Sequence, residues 1–169
     1  SRSECSDVAN AVYDGTDCVM LSGQTANAPY SEQAVTVMTR TCVEAETSRN
    51  YNALFQTVRN STLAAHAHLT TGESLASSAV KTATDVNEKL IVVLSETGTT
   101  ARYVAKFRPA RHVICLTPNE SVARQSGGVL AGCHAFVVDS LEDSHALAVE
   151  VSIEAVKAGV AKEGDLMVV

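Results

Sequence analysis

No stretch of this chain approaches the roughly 18 consecutive apolar residues that a membrane span needs. Its opening, SRSECSDVAN, has the pattern of neither a signal peptide nor a transit segment. Basic runs are also missing, and the formal net charge is -6, which makes nucleic acid a poor default partner. An anionic ligand stays open, because a local cluster of donors holds a phosphate against the global charge. CxxC is absent, and the five cysteines (Cys5, Cys18, Cys42, Cys115 and Cys133) are odd in number and scattered. That argues against a disulfide framework or a structural zinc site and fits a reducing cytosol. There is no initiator methionine, so the expectation is that sequence precedes Ser1. GxxxxGK[ST] and GxGxxG do not occur, which removes the nucleotide P-loop and the dinucleotide fingerprint. Without a GxSxG elbow, a serine hydrolase has no local support.

What is present is ordinary for a globular protein: 169 residues, 46% hydrophobic and 19% charged. That suffices for one core, or for one domain and a piece of another. Residues 4–15 read as a short helix with Val8 and Val12 four apart, Ser6 or Asp7 near its start and Gly15 as a stop. DCVMLS, 17–22, reads as a strand covered on both faces. GQTANAP reads as a loop, and 31–46 as a helix capped by Ser31 with Val35, Met38, Cys42 and Ala45 on one stripe. A lone central strand cannot satisfy its backbone without neighbours, so residues 1–46 are expected to be the edge of a larger domain. Residues 47–72 read as a linker or a helix plus a loop, with Ala53, Phe55 and Val58 able to pack.

From residue 73 the order alternates. A helix over 73–88 with Ala76, Ala79, Val80 and Ala83 inward precedes strands at 90–95, 112–117, 134–139 and 165–169. Between them lie helices at 97–107 (Ala101, Val104 and Ala105 inward), at 119–132 (broken at Gly127 and Gly128), and at 144–159. The last has Ala146, Val149, Ile153 and Val156 on one side and ends at Gly159. Short β-rich runs separated by helices predict a three-layer α/β/α fold with a mostly parallel sheet. The last strand reads as cut short at Val169.

The stretch VVLSETGTTARYVAKFRP, 92–109, carries the chemistry. Ser95, Thr97, Thr99 and Thr100 supply hydroxyls, Gly98 permits a tight turn, and a helix follows whose first N–H groups lack intrahelical partners. Each feature suits a phosphate; the competing reading is a plain helix cap through Thr97. Glu96 counts against phosphate unless it points away. Arg102 reads as a surface residue, and Lys106 and Arg108 as solvent-facing residues around buried Phe107. His66 and His68 are two apart and could share one face of an extended segment, but two ligands do not make a zinc site, and no acidic or cysteine partner is near them in sequence. His112, His134 and His145 stand at element starts and read as structural. Cys18 and Cys115 lie in strand-like runs and are expected to be buried and inert.

Two long stretches carry a family resemblance: SECSDVANAVYDGTDCVMLSGQTA, residues 3–26, and the stretch 92–109. With them the whole chain resembles the C-terminal third of pyruvate kinase. The resemblance implies that 1–46 is the last helix-strand-helix portion of a β/α barrel, 47–72 a linker and helix, and 73–169 most of the allosteric effector domain. For the full-length protein it implies a cytoplasmic, ATP-forming glycolytic homotetramer that transfers phosphate from phosphoenolpyruvate to ADP, with Mg2+ (or Mn2+) and K+. The catalytic and metal-binding groups of that family lie upstream, so no catalytic, cofactor or metal residue is assigned here, and the chain alone is expected to be inactive. Ser22, Gly23, Gln24 and Thr25 are expected near the barrel mouth. There SGQTANA replaces the family's usual SGETAKG, so Gln24 and Asn27 each remove a charge. Arg2 and Glu4 match positions that tie the last barrel helix to its neighbours. Ser95, Thr97, Gly98, Thr99 and Thr100 match the turn that grips one phosphate of a sugar bisphosphate such as fructose 1,6-bisphosphate. Glu96 stands where Thr or Lys is frequent. The family's second effector loop follows the last strand, so binding by this chain is expected to be weak. The alternative is a stand-alone, catalytically inactive α/β module that binds a phosphate ligand or serves a structural role.

Overall fold

A computed structural model describes residues 2–169. The chain divides into two compact units, residues 1–50 and 51–169.

In the first unit α1 (Arg2–Asp14) packs against α3 (Ser31–Thr47), with the four-residue α2 (Gly23–Ala26) between them in sequence. Val12 and Ala45 are its buried apolar side chains. Gly15 ends α1 as expected, at φ 92°. The helix starts at Arg2, so Ser6 and Asp7 lie inside it rather than at its start. Tyr30 occupies the cap position of α3 without a side-chain hydrogen bond, and Ser31 is its first helical residue. Val35 is exposed; the inward residues are Ala34, Met38, Thr41, Cys42 and Ala45. The expected strand at 17–22 does not form. Its residues are irregular, Met20 is 87% exposed and Cys18 is exposed rather than buried. The physical reason is the one that made the strand suspect: a parallel strand needs a ladder partner, and this unit contains no strand among the described residues.

The second unit begins with α4 (Tyr51–His66) and α5 (Thr71–Asp85). Then β1 (Leu90–Leu94), α6 (Thr99–Lys106), β2 (His112–Thr117), α7 (Glu120–Val129), β3 (Cys133–Val137), α8 (Ser144–Lys157) and β4 (Met167–Val168) alternate. The four strands form one parallel sheet in the order β3-β2-β1-β4. Its two faces are covered separately, which makes three layers. Ile91 and Val93 of β1, with Val113 and Cys115 of β2, meet Ala76, Val80 and Ala83 of α5 and Ala101, Val104 and Phe107 of the α6 segment. Leu90 and Val92, with Leu116, meet Ala155, Leu147 and Val151 of α8 on the other face. Phe55 of α4 joins the first core, its ring 5.8 Å from that of Phe107. Each large side chain so buried contributes roughly 1.5–3 kcal/mol of transfer free energy.

Two helices depart from the pattern read in the sequence. α7 runs through Gly127 and Gly128 without breaking. A Cβ on Gly127 would lie 3.4 Å from the Ala135 backbone nitrogen, so glycine there lets the helix sit close on β3. In α8 the inward stripe is Leu147, Val151 and Ala155, while Ala146, Val149, Ile153 and Val156 face outward. Apolar residues recur on both sides of this helix, so periodicity alone does not choose the face.

One polar cluster fixes where α5 starts. Thr70 and Glu73 form a reciprocal capping box, in which the Thr70 hydroxyl accepts from the Glu73 N–H and the Glu73 carboxylate from the Thr70 N–H. The same carboxylate accepts from Lys106 Nζ at 2.6 Å, tying α5 to the end of α6. Lys106 is therefore partly buried in an ion pair rather than solvent-facing. Its ammonium also lies 5.8 Å from the centre of the Phe107 ring, which is fully buried. The Lys106 hydrogen bond, followed by the Thr70 backbone and hydroxyl donors, lowers the Glu73 pKa from 4.5 to about 2. A depressed carboxylate stabilises the fold above its unfolded pKa and loses that contribution as pH falls through its folded pKa. Urea midpoints of wild type and Glu73→Gln should thus differ above pH 4.5 and converge as pH falls toward 2. A difference independent of pH would contradict the assignment.

Candidate functional site

The turn Ser95–Gly98 leaves the carboxyl end of β1. Strand order reverses at β1: β2 and β3 lie on one side and β4 on the other. In open parallel sheets, the crevice beyond the carboxyl ends at such a reversal is where ligands bind. All five residues read as a phosphate turn in the sequence (Ser95, Thr97, Gly98, Thr99 and Thr100) fall in this turn and in the first residues of α6.

They divide into two groups. Ser95 and Gly98 are buried and build the turn. The Ser95 N–H continues the ladder to Leu116 O at 3.0 Å, and the Ser95 hydroxyl accepts from the Gly98 N–H at 3.0 Å. Gly98 occupies the cap position of α6 at φ 78°, a left-handed conformation that L side chains rarely adopt. A Cβ there would approach Val122 Cγ1 to 3.1 Å and Ser126 Oγ to 3.3 Å. Thr97, Thr99 and Thr100 are exposed, and the Thr97 and Thr99 hydroxyls are 2.9 Å apart. Thr97 does not occupy the cap position of α6; Gly98 does, and it has no side chain to cap with. The first-turn N–H groups of α6 thus have no intrahelical acceptor and stand beside exposed hydroxyls, at the positive end of the helix dipole. Glu96 and Arg102 are both exposed.

The neighbours of the turn come from farther along the chain. Thr117, fully buried at the end of β2, accepts from the Asn119 N–H at 3.3 Å. Asn119 in turn caps α7 by accepting from the N–H groups of Ser121 and Val122. This places Val122 and Ser126 against Gly98. The sequence reading did not single out these residues; the available signal was the Asn-Glu-Ser start of α7, which reads as a helix cap. Cys115 and Cys133 sit in the first core as inert thiols. Burial pushes Cys133 up to about 12, with Cys115 beside it adding to the effect, and burial raises Cys115 as well.

The other expected positions lie elsewhere. In the first unit, Ser22 precedes α2, its N–H donates to Gln24 Oε1 at 3.3 Å, and Thr25 Oγ1 donates to Ser22 O at 3.2 Å. The segment read as a loop there is thus a short helix closed on itself, with Ser22, Gly23, Gln24, Thr25 and Asn27 all exposed. Side-chain contacts of Arg2 lie outside the described residues. His66 ends α4 and the chain then turns through Ala67 at φ 61°, so His66 and His68 do not share an extended segment. Among the described residues no group of three or more His, Cys, Asp or Glu can hold a metal ion, and no helix is long and apolar enough to cross a membrane.

Comparison with known proteins agrees on one family. A family profile described as the pyruvate kinase alpha/beta domain matches residues 73–169, more than half of the chain, and one described as the pyruvate kinase barrel domain matches residues 1–35. The chain is 41% identical over 168 residues to a pyruvate kinase of Eimeria tenella, covering 99% of this chain and 31% of the relative. It is 56% identical over 110 residues to a cytosolic pyruvate kinase isozyme of Glycine max, covering 65% of this chain and 21% of that protein. A crystal structure of a pyruvate kinase from Cryptosporidium parvum superimposes with a TM-score of 0.93 at 39% identity, covering 99% of this chain and 33% of that one. The chain thus spans no more than about a third of the length of these relatives.

Replacing Gly98 by alanine forces a Cβ into a left-handed turn against α7. The expected loss is about 1–3 kcal/mol in urea unfolding. A neutral or stabilising effect would show that the turn is not held in this conformation.

Proposed function

We propose, for a chain that belongs to the pyruvate kinase family, that residues 1–46 close the catalytic barrel and residues 73–169 form an effector domain, with 47–72 joining them. The activity proposed for the whole protein is phosphoryl transfer from phosphoenolpyruvate to ADP in glycolysis, in the cytoplasm, as a homotetramer using Mg2+ (or Mn2+) and K+. The transfer itself, which needs metal and cationic groups around the moving phosphoryl, is proposed to belong to residues outside this segment.

The part proposed for this segment is regulatory. The turn Ser95–Thr100 receives one phosphate of a sugar bisphosphate such as fructose 1,6-bisphosphate. The observation that carries this reading is the meeting of three features: a buried Ser95–Gly98 turn, the exposed hydroxyls of Thr97, Thr99 and Thr100, and the helix start of α6. All three lie at the reversal of strand order. A phosphate there accepts from the free first-turn N–H groups and from the hydroxyls, in the field of the helix dipole. The exposed Glu96 carboxylate weakens the local field. Ser22–Thr25 is proposed to border the barrel mouth, where Gln24 and Asn27 provide neutral contacts.

Two measurements test the reading. Calorimetry with fructose 1,6-bisphosphate should give weak binding that Thr99→Val with Thr100→Val abolishes. Low-micromolar affinity unaffected by those substitutions would contradict the site. Separately, a lactate-coupled assay of the 169-residue chain with phosphoenolpyruvate, ADP, Mg2+ and K+ should give no turnover above a blank. Turnover above the blank would overturn the assignment of the transfer chemistry to residues beyond this segment.

A further inference from the structure

At the opposite, amino end of the sheet, β2 and β3 bring two histidines together. Parallel pairing sets Val113 beside Cys133 and Ile114 beside His134, so His112 and His134 project to the same face, toward α8. Both are exposed, and their rings lie 5.2 Å apart at 48°. His112 Nδ1 and His134 Nε2 face each other at 3.2 Å.

Two nitrogens bound at about 2.0–2.1 Å to one ion lie about 2.9 Å apart at a right angle and about 3.3–3.4 Å apart at the tetrahedral angle. The observed separation falls between these limits without any movement of the strands. The rings open onto a groove of about 670 Å³ between α8 and the sheet, whose other titratable lining groups are Glu150 and Glu154. Glu154 already accepts from Lys157 at 2.7 Å. Among the described residues no third His, Cys, Asp or Glu completes a ligand set, so solvent must fill the remaining positions.

We propose that His112 and His134 form an exchangeable two-histidine site for a divalent ion that prefers imidazole (zinc, nickel or copper), with water completing the coordination. Metal-free, one facing nitrogen donates its N–H to the other. On binding, the donating ring places its proton on its outer nitrogen and both facing lone pairs turn to the ion. The ion then joins the amino end of β3, the edge strand, to β2. Because it binds the folded state, it raises thermal stability with concentration.

The test titrates ZnCl2 and NiCl2 against a colorimetric chelator, using the full chain with the exposed Cys18 replaced (Cys18→Ser) and a non-thiol reductant present. His112→Asn and His134→Gln are compared in that background, with circular dichroism confirming the fold. One equivalent of ion, its loss in both variants and a metal-dependent rise in melting temperature lost with it are expected. Binding retained in both variants would place the ion elsewhere and overturn the proposal. Failure of either ion to bind at millimolar concentration would leave the pair as an N–H···N hydrogen bond alone. None of these outcomes bears on the phosphate turn, which lies at the other end of the strands.

Discussion

The second unit depends on one strand, Leu90–Leu94, buried on both faces. Its odd and even side chains serve different cores: Ile91 and Val93 meet α5 and α6, while Leu90 and Val92 meet α8. It pairs in parallel with β2 along its whole length and with β4 at Leu90 and Ile91, which puts it inside the sheet rather than at an edge. From this strand the chain first builds outward to β2 and β3, then returns over the other face to β4. The reversal that makes β1 central also leaves the turn after it facing the crevice between two chain directions. Site and core therefore share one cause. A substitution that loosens β1 should be felt at the turn, whereas one on an exposed threonine of the turn leaves the core intact.

Within the turn, the buried and the exposed polar groups belong to different residues. Ser95 and Gly98 are buried, share a hydrogen bond, and hold the helix start in place. Thr97, Thr99 and Thr100 remain exposed with hydroxyls to offer. A binding turn gains from this separation, because donors fixed beforehand lose less freedom when an anion arrives. On the far side of α6, Glu73 and Lys106 anchor the end of that helix to the start of α5. Both ends of this eight-residue helix are thus fixed by contacts outside it.

Much of this was legible in the residues. The strands at 90–95 and 112–117 stand out because β-rich runs alternate with helical spacing, and Ala101, Val104 and Ala105 face inward as their spacing implies. Ser95, Thr97, Gly98, Thr99 and Thr100 fall together at the end of β1 and the start of α6 because they are nearly consecutive. The failures share a physical origin in long-range contacts. DCVMLS has the composition of a buried strand, yet composition supplies no ladder partner, and without one Cys18 stays in solvent. In α8 two apolar stripes compete, and only the sheet beneath decides that Leu147, Val151 and Ala155 turn inward. The packing of Val122 and Ser126 against Gly98, and the meeting of His112 with His134, depend on parallel register between strands about 20 residues apart in sequence, which no local pattern encodes.

The central claim is that the start of α6 receives a phosphate group. Amide chemical shifts during titration with inorganic phosphate, and then with fructose 1,6-bisphosphate, test it most directly. The account predicts that the amides of Thr99, Thr100 and Ala101 move first and together, with the bisphosphate acting at lower concentration than phosphate. Shifts centred elsewhere on the sheet, or none in this turn at saturating ligand, would contradict it.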